Sequence, residues 1–431
     1  MALWPLRRPR MRPLEPWQRD QYVVVLTVAL AHVAFDLTQP FMPLYVRELG
    51  VTDLADAAFW SGVIVGIGPL CGSIMGPFWG ALADKYGRKP MVLRALLMIG
   101  LMQMAIAFAP DVYTLVGMRV IMGIFAGFTP MAMALAVSVG PREKMAHAIG
   151  LVQAATFLPL AIGPTIGGVL SDNFGLRFNF MLTGVILLFP AVLLYVMVKE
   201  TGYGGSKKKD EAEQEAEATG RRSAVWSLML LPGFAAALAI LFMTRFTDRA
   251  LTPILPLYLV ELGTPDGQLA TITGFVVAAG AVAAAGSSVL YGRWARQENT
   301  RRLLIIALAG GAVFSALIAM VGGWVEVALL RIGLGLLAGG SMSLAYTMGA
   351  HLAPSARSGL TLSMLSSCGQ LGGAIAPILG GVIGGISLGY VFIANAGAYV
   401  LALGLAALPS MGRATAAPRE QPSGPVAGAR T

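Results

Sequence analysis

Apolar runs of about 20 residues follow one another along almost the whole chain, and they restrict its possible folds more than any other feature. The first four cover residues 22–45, 59–83, 91–109 and 112–139. A helix needs about 20 apolar residues to cross the hydrocarbon core of a bilayer. Of the 431 residues, 56% are hydrophobic and only 12% are charged, about half the charged fraction of a soluble domain. We therefore predict an all-α integral membrane protein.

Twelve membrane spans are predicted, and one polar segment divides them into six and six. The spans cover residues 20–46, 56–82, 89–109, 112–139, 145–171, 177–199, 226–260, 267–292, 301–321, 323–350, 357–385 and 387–408. The polar segment, 201–225, is interpreted as a cytoplasmic linker between an N-terminal six-helix bundle (20–200) and a C-terminal one (226–410). Residues 1–19 and 411–431 are predicted to be cytoplasmic tails, the second of them disordered.

The distribution of basic residues predicts the orientation in the membrane. If the N-terminus is cytoplasmic, 25 of the 31 Lys and Arg fall in the tails and inner loops. Only Arg47 and Arg177 then fall outside, and Arg119, Arg245, Arg249 and Arg331 lie within spans. Cytoplasmic loops of membrane proteins carry the excess of Lys and Arg. Both termini are therefore expected in the cytoplasm, and the net charge of +9 does not indicate a nucleic-acid partner.

An internal repeat relates the two halves of the chain. The segment PFMPLYVRELG at 40–50 recurs as PILPLYLVELG at 253–263, a shift of 213 residues. GMRVIMGIFAG at 117–127 recurs as LLRIGLGLLAG at 329–339, a shift of 212, and GPTIGGV at 163–169 recurs as APILGGV at 376–382. A nearly constant shift indicates a duplicated six-helix unit with both copies in the same orientation. Parallel repeats of this kind are typical of one class of secondary transporter.

The loop between the second and third predicted spans reads GALADKYGRKPMVL, at 80–93. It resembles the signature cytoplasmic loop of the major facilitator superfamily. The resemblance implies that fold, two pseudo-symmetric bundles of six helices with the substrate pathway between them. It also assigns a conformational latch to five positions: Gly80, Asp84, Gly87, Arg88 and Lys89. The matching loop of the second half keeps Gly292 but has Arg296 in place of the acid, so we expect the first half to form most of the latch.

Spans one and four carry the charged residues expected to couple transport to protons. At about 1.5 Å per residue, Asp36 lies roughly 24 Å above the inner end of its span, and Arg119 roughly 10 Å below the outer end of its own. In a core of about 30 Å these depths nearly coincide. The run DLTQP at 36–40 resembles the Asp-x-x-Gln-Pro of proton-coupled multidrug exporters, in which the acid is protonated during the cycle. A static Asp36–Arg119 pair is the alternative. His32, one turn earlier, is a candidate proton relay or a hydrogen-bonding residue of the cavity wall.

Span five resembles the antiporter motif of the same superfamily, in which small residues and a proline form a closely packed hinge. The motif positions are Gly150, Pro159, Gly163, Pro164, Gly167 and Gly168. Pro159 departs from the pattern because a glycine is usual there. The motif favours export over import, and the alternative is a packing face without bearing on direction.

Span seven places three charged residues within about one turn, Arg245, Asp248 and Arg249. Under the repeat, Arg245 corresponds to His32 and Arg249 to Asp36. With Arg119 and Arg331, the spans hold four arginines against two aspartates, and each charge is costly in the bilayer unless it pairs or meets water. The candidate substrate cavity comprises Gln39, Arg245, Asp248, Arg249 and Arg331. Asp248 is expected to pair with Arg245, which lies three residues before it, and to leave Arg249 the freer of the two.

The resemblance to bacterial twelve-span drug:proton antiporters implies a proton-coupled exporter of amphiphilic small molecules or drugs. A lipid or lysolipid flippase, or an exporter of anionic amphiphiles, is the alternative on the same scaffold, and a facilitator without proton coupling is a third. The sequence offers no nucleophile–base pair, metal-ligand cluster or phosphate loop. We therefore expect no enzymatic activity and no cofactor, with the proton gradient as energy source. The expected setting is the bacterial inner membrane, with lipids as neighbours and the chain as a monomer.

Overall fold

The computed structural model describes residues 15–141, 144–198, 225–231, 233–296, 298–352 and 358–409. The helices of the first half are α1 (Pro16–Asp36), α2 (Met42–Glu48), α3 (Leu54–Tyr86), α4 (Arg88–Ile106), α5 (Val112–Ile124), α6 (Phe128–Ser138), α7 (Met145–Phe174) and α8 (Leu176–Met197). Those of the second half are α9 (Phe234–Ala250), α10 (Leu255–Glu261), α11 (Leu269–Trp294), α12 (Thr300–Ile318), α13 (Trp324–Ala338), α14 (Ser341–His351), α15 (Ser358–Gly384) and α16 (Leu388–Ala407). Short 3₁₀ turns cover Gln39–Phe41 and Asp266–Gln268. The predicted linker, apart from residue 225, and the C-terminal tail lie outside the described residues.

Eleven helical stretches among the described residues are long and apolar enough to cross a membrane. They match eleven of the twelve predicted spans. The region of the seventh is divided between α9, which is 17 residues long, and the short helix α10, and it is not one of the eleven. Large apolar side chains are exposed on these helices, as expected of surfaces that face lipid tails; examples are Ile74, Phe189, Val196, Leu329 and Leu401.

Spans one, four, seven and ten are each interrupted near the middle, although the sequence predicted each of them as one continuous helix. In spans one and seven the cause is proline, because Pro40 and Pro253 lack the N–H that would bond the carbonyl of Asp36 and of Arg249 four residues earlier. The break in span four passes through Gly127, whose φ of +103° is in the left-handed region that favours glycine. The break in span ten falls at Gly339 and Gly340, between α13 and α14.

Proximity along the backbone divides the chain into two compact units. The first comprises Met1–Val51, Ile67–Lys208 and Pro265–Ala278, and the second comprises Thr52–Gly66, Lys209–Thr264 and Ala279–Thr431. Each unit therefore contains one short segment from the other half of the sequence, the beginning of α3 in the second unit and the beginning of α11 in the first. The predicted domain boundary within 201–225 stays a prediction, since all but its last residue lies outside the described residues.

Inside the first unit, the start of α11 packs directly on α7 through a seam of small residues: Pro164, Gly168, Ala270 and Gly274. A β-carbon at Gly168 would collide with the carbonyl oxygen of Ala270, and one at Gly274 would collide with that of Pro164. We call these four residues the α7–α11 seam. Such close backbone contact is the use of small residues that membrane helices favour.

Inside the second unit, the start of α3 packs on α15 in the same way. A β-carbon at Gly62 would collide with the carbonyl oxygen of Pro377, and one at Gly381 would lie 2.7 Å from that of Ala58. We call these four residues the α3–α15 seam. Each of its residues matches a residue of the α7–α11 seam after a shift of 212 or 213 positions. The duplication inferred from the sequence therefore extends to individual backbone contacts.

Candidate functional site

Asp36, Gln39 and Arg119 lie at or beside the interruption of span one. Asp36 is the last residue of α1, and Gln39 opens the 3₁₀ turn that follows it. Arg119 projects from α5 and is only 2% exposed. Its Nη2 donates to Oε1 of Gln39 at 3.4 Å, a long hydrogen bond, and its Nε is a buried atom without a partner among the described groups. The structure therefore brings Arg119 to Gln39, while the predicted Asp36–Arg119 pair stays a prediction.

The α7 helix presents its antiporter-like motif to the end of α1. A β-carbon at Gly163 would lie 2.6 Å from Cβ of Asp36, and one at Gly167 would collide with the carbonyl oxygen of Leu37. Only glycine at these two positions lets α7 approach Asp36 so closely. Of the other motif residues, Pro164 and Gly168 belong to the α7–α11 seam. The last two, Gly150 and Pro159, lie on the continuous helix α7, where Gly150 is exposed and Pro159 is buried.

His32 lies one turn before Asp36 on α1 and is held in a defined orientation. Its Nδ1 is 2.9 Å from the carbonyl oxygen of Val28, an acceptor, so the Nδ1 atom carries a proton and donates. The second ring nitrogen, Nε2, is 3.4 Å from Oγ1 of Thr129, and the ring tilts against Phe128 with centroids 6.0 Å apart. This geometry leaves Nε2 as the atom that would gain or lose a proton. The role of His32 as a relay stays a prediction.

Arg245, Asp248 and Arg249 form a charged triad on the last two turns of α9. Oδ2 of Asp248 is 3.9 Å from Nη1 of Arg245 and 3.7 Å from Nε of Arg249. The expected ion pair of Asp248 with Arg245 is therefore present, but it does not exclude Arg249, because the carboxylate lies within ion-pair distance of both arginines. The side chains of Arg245, Asp248 and Arg249 are 28%, 64% and 48% exposed. The triad carries a net charge of about +1 on an exposed helix surface.

Two glycines of α15 accommodate the arginine stems. A β-carbon at Gly369 would lie 3.3 Å from Cγ of Arg245, and one at Gly373 would lie 3.6 Å from Cγ of Arg249. Both pairs are spaced by four residues, one helical turn, so the two stems follow the glycine face of the neighbouring helix. At their other ends, both guanidinium groups lie within ion-pair distance of Asp248.

Arg331 on α13 is the repeat partner of Arg119, at a shift of 212 residues. It is half-buried and packs against Gly280 of α11. A β-carbon added at Gly280 would lie 3.7 Å from Nε of Arg331. That Nε atom is buried and has no partner among the described groups. Its predicted place in the substrate cavity stays a prediction.

The signature loop joins α3 to α4 through Gly87, whose φ of +100° permits the tight turn. Arg88 donates to the carbonyl oxygen of Ala134 at 2.8 Å. Lys89 donates to the carbonyl oxygens of Tyr195 and Val198 at 2.9 and 2.6 Å, at the C-terminal end of α8. The two basic residues thus hold three neighbouring helices at this end. Gly80 lies inside α3, and the side chain of Asp84 lies outside what the structure describes.

Trp79 and Arg94 support the interruption of span four, and the sequence analysis missed both. Nε1 of Trp79 donates to the carbonyl oxygen of Ile124 at 2.7 Å, and Nη2 of Arg94 donates to that of Phe125 at 3.3 Å. The Arg94 guanidinium also stacks 3.3 Å over the Trp79 ring. These donors bond carbonyls near the end of α5. Arg94 was counted with the inner loops but lies inside α4, so the available signal was its position in a predicted span.

A repeated helical unit with charged residues at interrupted membrane helices defines a class of protein, the secondary transporters. The chain belongs to the Major Facilitator Superfamily, whose family model matches residues 24–323 and 237–429. Its fold is therefore the major facilitator fold, as predicted, and it is a multi-pass membrane transporter.

The curated relatives include multidrug efflux proteins. The chain is 31% identical over 368 residues to the multidrug resistance protein MdtG of Yersinia enterocolitica serotype O:8, with 85% of this chain and 87% of that protein covered. It is 30% identical over 369 residues to the multi-drug resistance efflux pump PmrA of Streptococcus pneumoniae serotype 4, covering 86% and 90%.

Solved transporter structures share the fold at low sequence identity. A D-xylose-proton symporter matches with a TM-score of 0.72 at 14% identity, covering 91% of this chain and 98% of that one. A bacterial homolog of the human lysosomal transporter Spinster matches with a TM-score of 0.68 at 16% identity, covering 94% and 96%. Identities this low support the fold alone.

Proposed function

We propose that this chain is a proton-coupled exporter of amphiphilic small molecules, and that Asp36 carries the proton. The observation that carries the proposal is the position of Asp36, a carboxylate at the interrupted end of a membrane helix. Gln39, which accepts the hydrogen bond from Arg119, follows it three residues later. Relatives at about 30% identity that bear the names of multidrug efflux proteins support the substrate class.

A carboxylate in this place is suited to coupling because its surroundings depend on helix packing. Proton affinity depends on burial, on hydrogen bonds and on the distance to neighbouring charges. Asp36 touches Gly163 of α7, and Arg119 is tied to Gln39 three residues beyond it. A change in the packing of α1 on α7 or α5 would therefore change the proton affinity of Asp36. Such a change is what links proton uptake to a conformational step.

The orientation and setting follow from the same proposal. Both termini lie in the cytoplasm, the membrane is the bacterial inner membrane, and the transporter works as a monomer. In this orientation the proton gradient drives substrate outward. One charge moved through 100 mV supplies about 2.3 kcal/mol, which corresponds to roughly fifty-fold in concentration.

One observation favours a second candidate, an exporter or flippase of anionic or zwitterionic amphiphiles, including lysolipids. The triad Arg245–Asp248–Arg249 has an excess of one positive charge, and its members are 28% to 64% exposed within a membrane span. An arginine that is neither buried nor fully neutralised is suited to bind a carboxylate or phosphate group. The two candidates share the proton step and differ in substrate charge.

The experiment that tests the proposal is transport in proteoliposomes with an imposed pH gradient, using cationic, neutral and anionic amphiphiles. Asp36→Asn keeps the size of the side chain and removes its titration, so we expect it to abolish pH-driven accumulation while counterflow exchange continues. Asp56→Asn, at an exposed carboxylate in the first turn of α3, is the matched control. Accumulation against a gradient by Asp36→Asn would remove Asp36 from the mechanism.

A further inference from the structure

The first turn of α11 is capped by a carboxylate from another helix. Oδ1 of Asp172, near the end of α7, accepts the backbone N–H of Ala270 at 3.1 Å, and Oδ2 accepts that of Thr271 at 2.7 Å. The first N–H groups of a helix have no partner within it. Asp172 satisfies two of them and places a negative charge at the positive end of the helix dipole. These two bonds span 98 and 99 residues of sequence.

The cap lies directly beside the α7–α11 seam. Ala270 donates its N–H to the carboxylate, and its carbonyl oxygen is the atom with which a β-carbon at Gly168 would collide. The glycine contacts of the seam are van der Waals contacts, which any small misplacement weakens quickly. The two charge-assisted bonds from Asp172 are directional and stronger than neutral ones. Asp172 therefore fixes the register in which the seam closes.

The α3–α15 seam lacks this carboxylate at the matching place. After the shift of 213 residues, the position of Asp172 is taken by Gly385, which lies near Ala55 of α3. The first turn of α3 is capped instead by its own Asp53, whose Oδ1 accepts the N–H of Ala55 at 2.9 Å and of Asp56 at 3.0 Å. A local cap of this kind stabilises one helix but joins no second helix to it. The two seams match in backbone packing and differ in how the helix start is held.

The cap is also within reach of solvent. Asp172 is half-buried and borders a crevice of about 300 Å³ together with Ser171, Arg47, Glu48 and Leu269. Water can therefore replace the two N–H donors when they leave the carboxylate. A bond that water can replace is suited to open and close repeatedly.

From these contacts we propose that Asp172 is a reversible latch of the α7–α11 seam, a positioning residue that keeps the first turns of α11 on α7 and releases them during the transport cycle. The proposal rests on the transport function proposed above for its place in the cycle, but not for the contact itself.

The test is the rate of thiol cross-linking between Phe174→Cys on α7 and Gln268→Cys before α11, both exposed positions. The native Cys71 and Cys368 are first replaced by alanine. With Asp172 in place we expect rapid cross-linking by a short bismaleimide. Asp172→Ala should reduce the closed-to-open ratio of the seam by about two- to fivefold, the usual range for a charge at a helix end. Asp172→Asn retains one acceptor oxygen and should give an intermediate rate.

Two controls keep the result interpretable. Asp53→Ala removes a cap of the same chemistry from α3 and should leave the α7–α11 cross-linking rate unchanged. Hydrogen exchange at the amides of Ala270 and Thr271 reports the two bonds directly and should accelerate in Asp172→Ala but not in Asp53→Ala. Cross-linking in Asp172→Ala at the rate of the parent protein would overturn the latch. If Asp172→Ala slows cross-linking but the parent protein accumulates no substrate in proteoliposomes, the latch is supported and only the proposed export function is refuted.

Discussion

Tyr45 and Tyr258 make the same hydrogen bond in the two halves of the chain. The hydroxyl of Tyr45 donates to the carbonyl oxygen of Ile106 at 2.7 Å, and that of Tyr258 donates to Ile318 at 2.9 Å. Both acceptors are the last residues of their helices, α4 and α12, where carbonyl groups have no helical partner. Each phenol ring also packs on a phenylalanine ring, that of Phe180 on α8 or of Phe392 on α16, with ring centroids 4.8 Å apart in both cases.

This symmetry predicts equal effects of Tyr45→Phe and Tyr258→Phe on stability. Each change removes the hydroxyl donor from a buried carbonyl oxygen, and the oxygen of Ile106 keeps the N–H of Ala109 at 3.1 Å as a second donor. We expect each change to lower the free energy of unfolding by about 1 kcal/mol. The two sites share no partner, and the double variant should therefore lose about the sum. Thermal unfolding in detergent measures both. If only one of the two variants loses stability, the matching geometry of the two tyrosines does not mean that they contribute equally to the free energy of unfolding.

Asn179 is predicted to be a stabilising residue of the first unit. It is 1% exposed, and its Nδ2 donates to the carbonyl oxygens of Leu37 and Gly167 and to Oγ of Ser171 at 2.9 to 3.1 Å. Asn179→Leu removes all of these bonds and should cost about 1–3 kcal/mol. Asn173→Leu, at an exposed position of α7, should change stability by less than about 0.5 kcal/mol. Similar melting temperatures for the two variants would contradict the assignment.

The α7–α11 seam predicts a contrast between two glycines of the same helix. Gly274→Ala places a methyl group against the carbonyl oxygen of Pro164, a backbone atom that cannot move aside, and should destabilise by about 1–3 kcal/mol. Gly286 has open space around its Cα. Gly286→Ala should be neutral or stabilise the helix by about 0.5–1 kcal/mol. A lower melting temperature for Gly274→Ala alone would support the seam, and equal losses in both variants would contradict it.

Arg249→Ala separates two roles of the charged triad. If the arginine binds substrate, the variant should weaken binding of acidic amphiphiles and spare cationic ones. If it acts as a charge switch with Asp36, coupling should be disturbed for every substrate. Binding and pH-driven uptake, measured with a matched pair of amphiphiles of opposite charge, distinguish these outcomes. Uniformly normal transport would remove both roles.

The signature loop predicts that Asp84→Ala alters the conformational balance more than substrate affinity. Arg88 and Lys89 already hold carbonyl groups of neighbouring helices, and we expect Asp84 to contribute the regulated contact. Turnover should slow while the dissociation constant of a bound substrate changes little. Distances between spin labels at the inner helix ends report the balance. An unchanged distance distribution together with unchanged turnover would refute the latch role of Asp84.

The repeat and the general position of the spans could be predicted from the sequence because hydropathy and self-similarity are properties of contiguous residues. The interruptions at Asp36 and Arg249 were missed, since the apolar segments on the two sides of each are together long enough to be taken for one continuous span. Their signal was the proline four residues after each charge. The same limitation hid the break at Gly127, where only the backbone angle reveals why glycine is present.

Contacts between distant residues were beyond the sequence. The pairing of Asp248 with both arginines depends on side-chain directions on α9, and spacing alone favoured Arg245. The support that Trp79 and Arg94 give to α5 depends on how three helices meet. Asp172 gave no local signal at all, because its partners are two backbone amides nearly one hundred residues away.

Because the beginning of α3 belongs to the second unit and the beginning of α11 to the first, the order of synthesis limits when each unit can be completed. At a synthesis rate of about 5–20 residues per second, the 98 residues from Asp172 to Ala270 take roughly 5–20 s. Until Ala270 has been inserted, Gly168 and Asp172 lack the segment that covers them in the finished protein. The first unit is therefore completed only after the ribosome has begun the second half of the chain. A gene divided at the linker would produce two fragments, each without the segment from the other half that completes its compact unit. Neither fragment should therefore be stable unless both are made together.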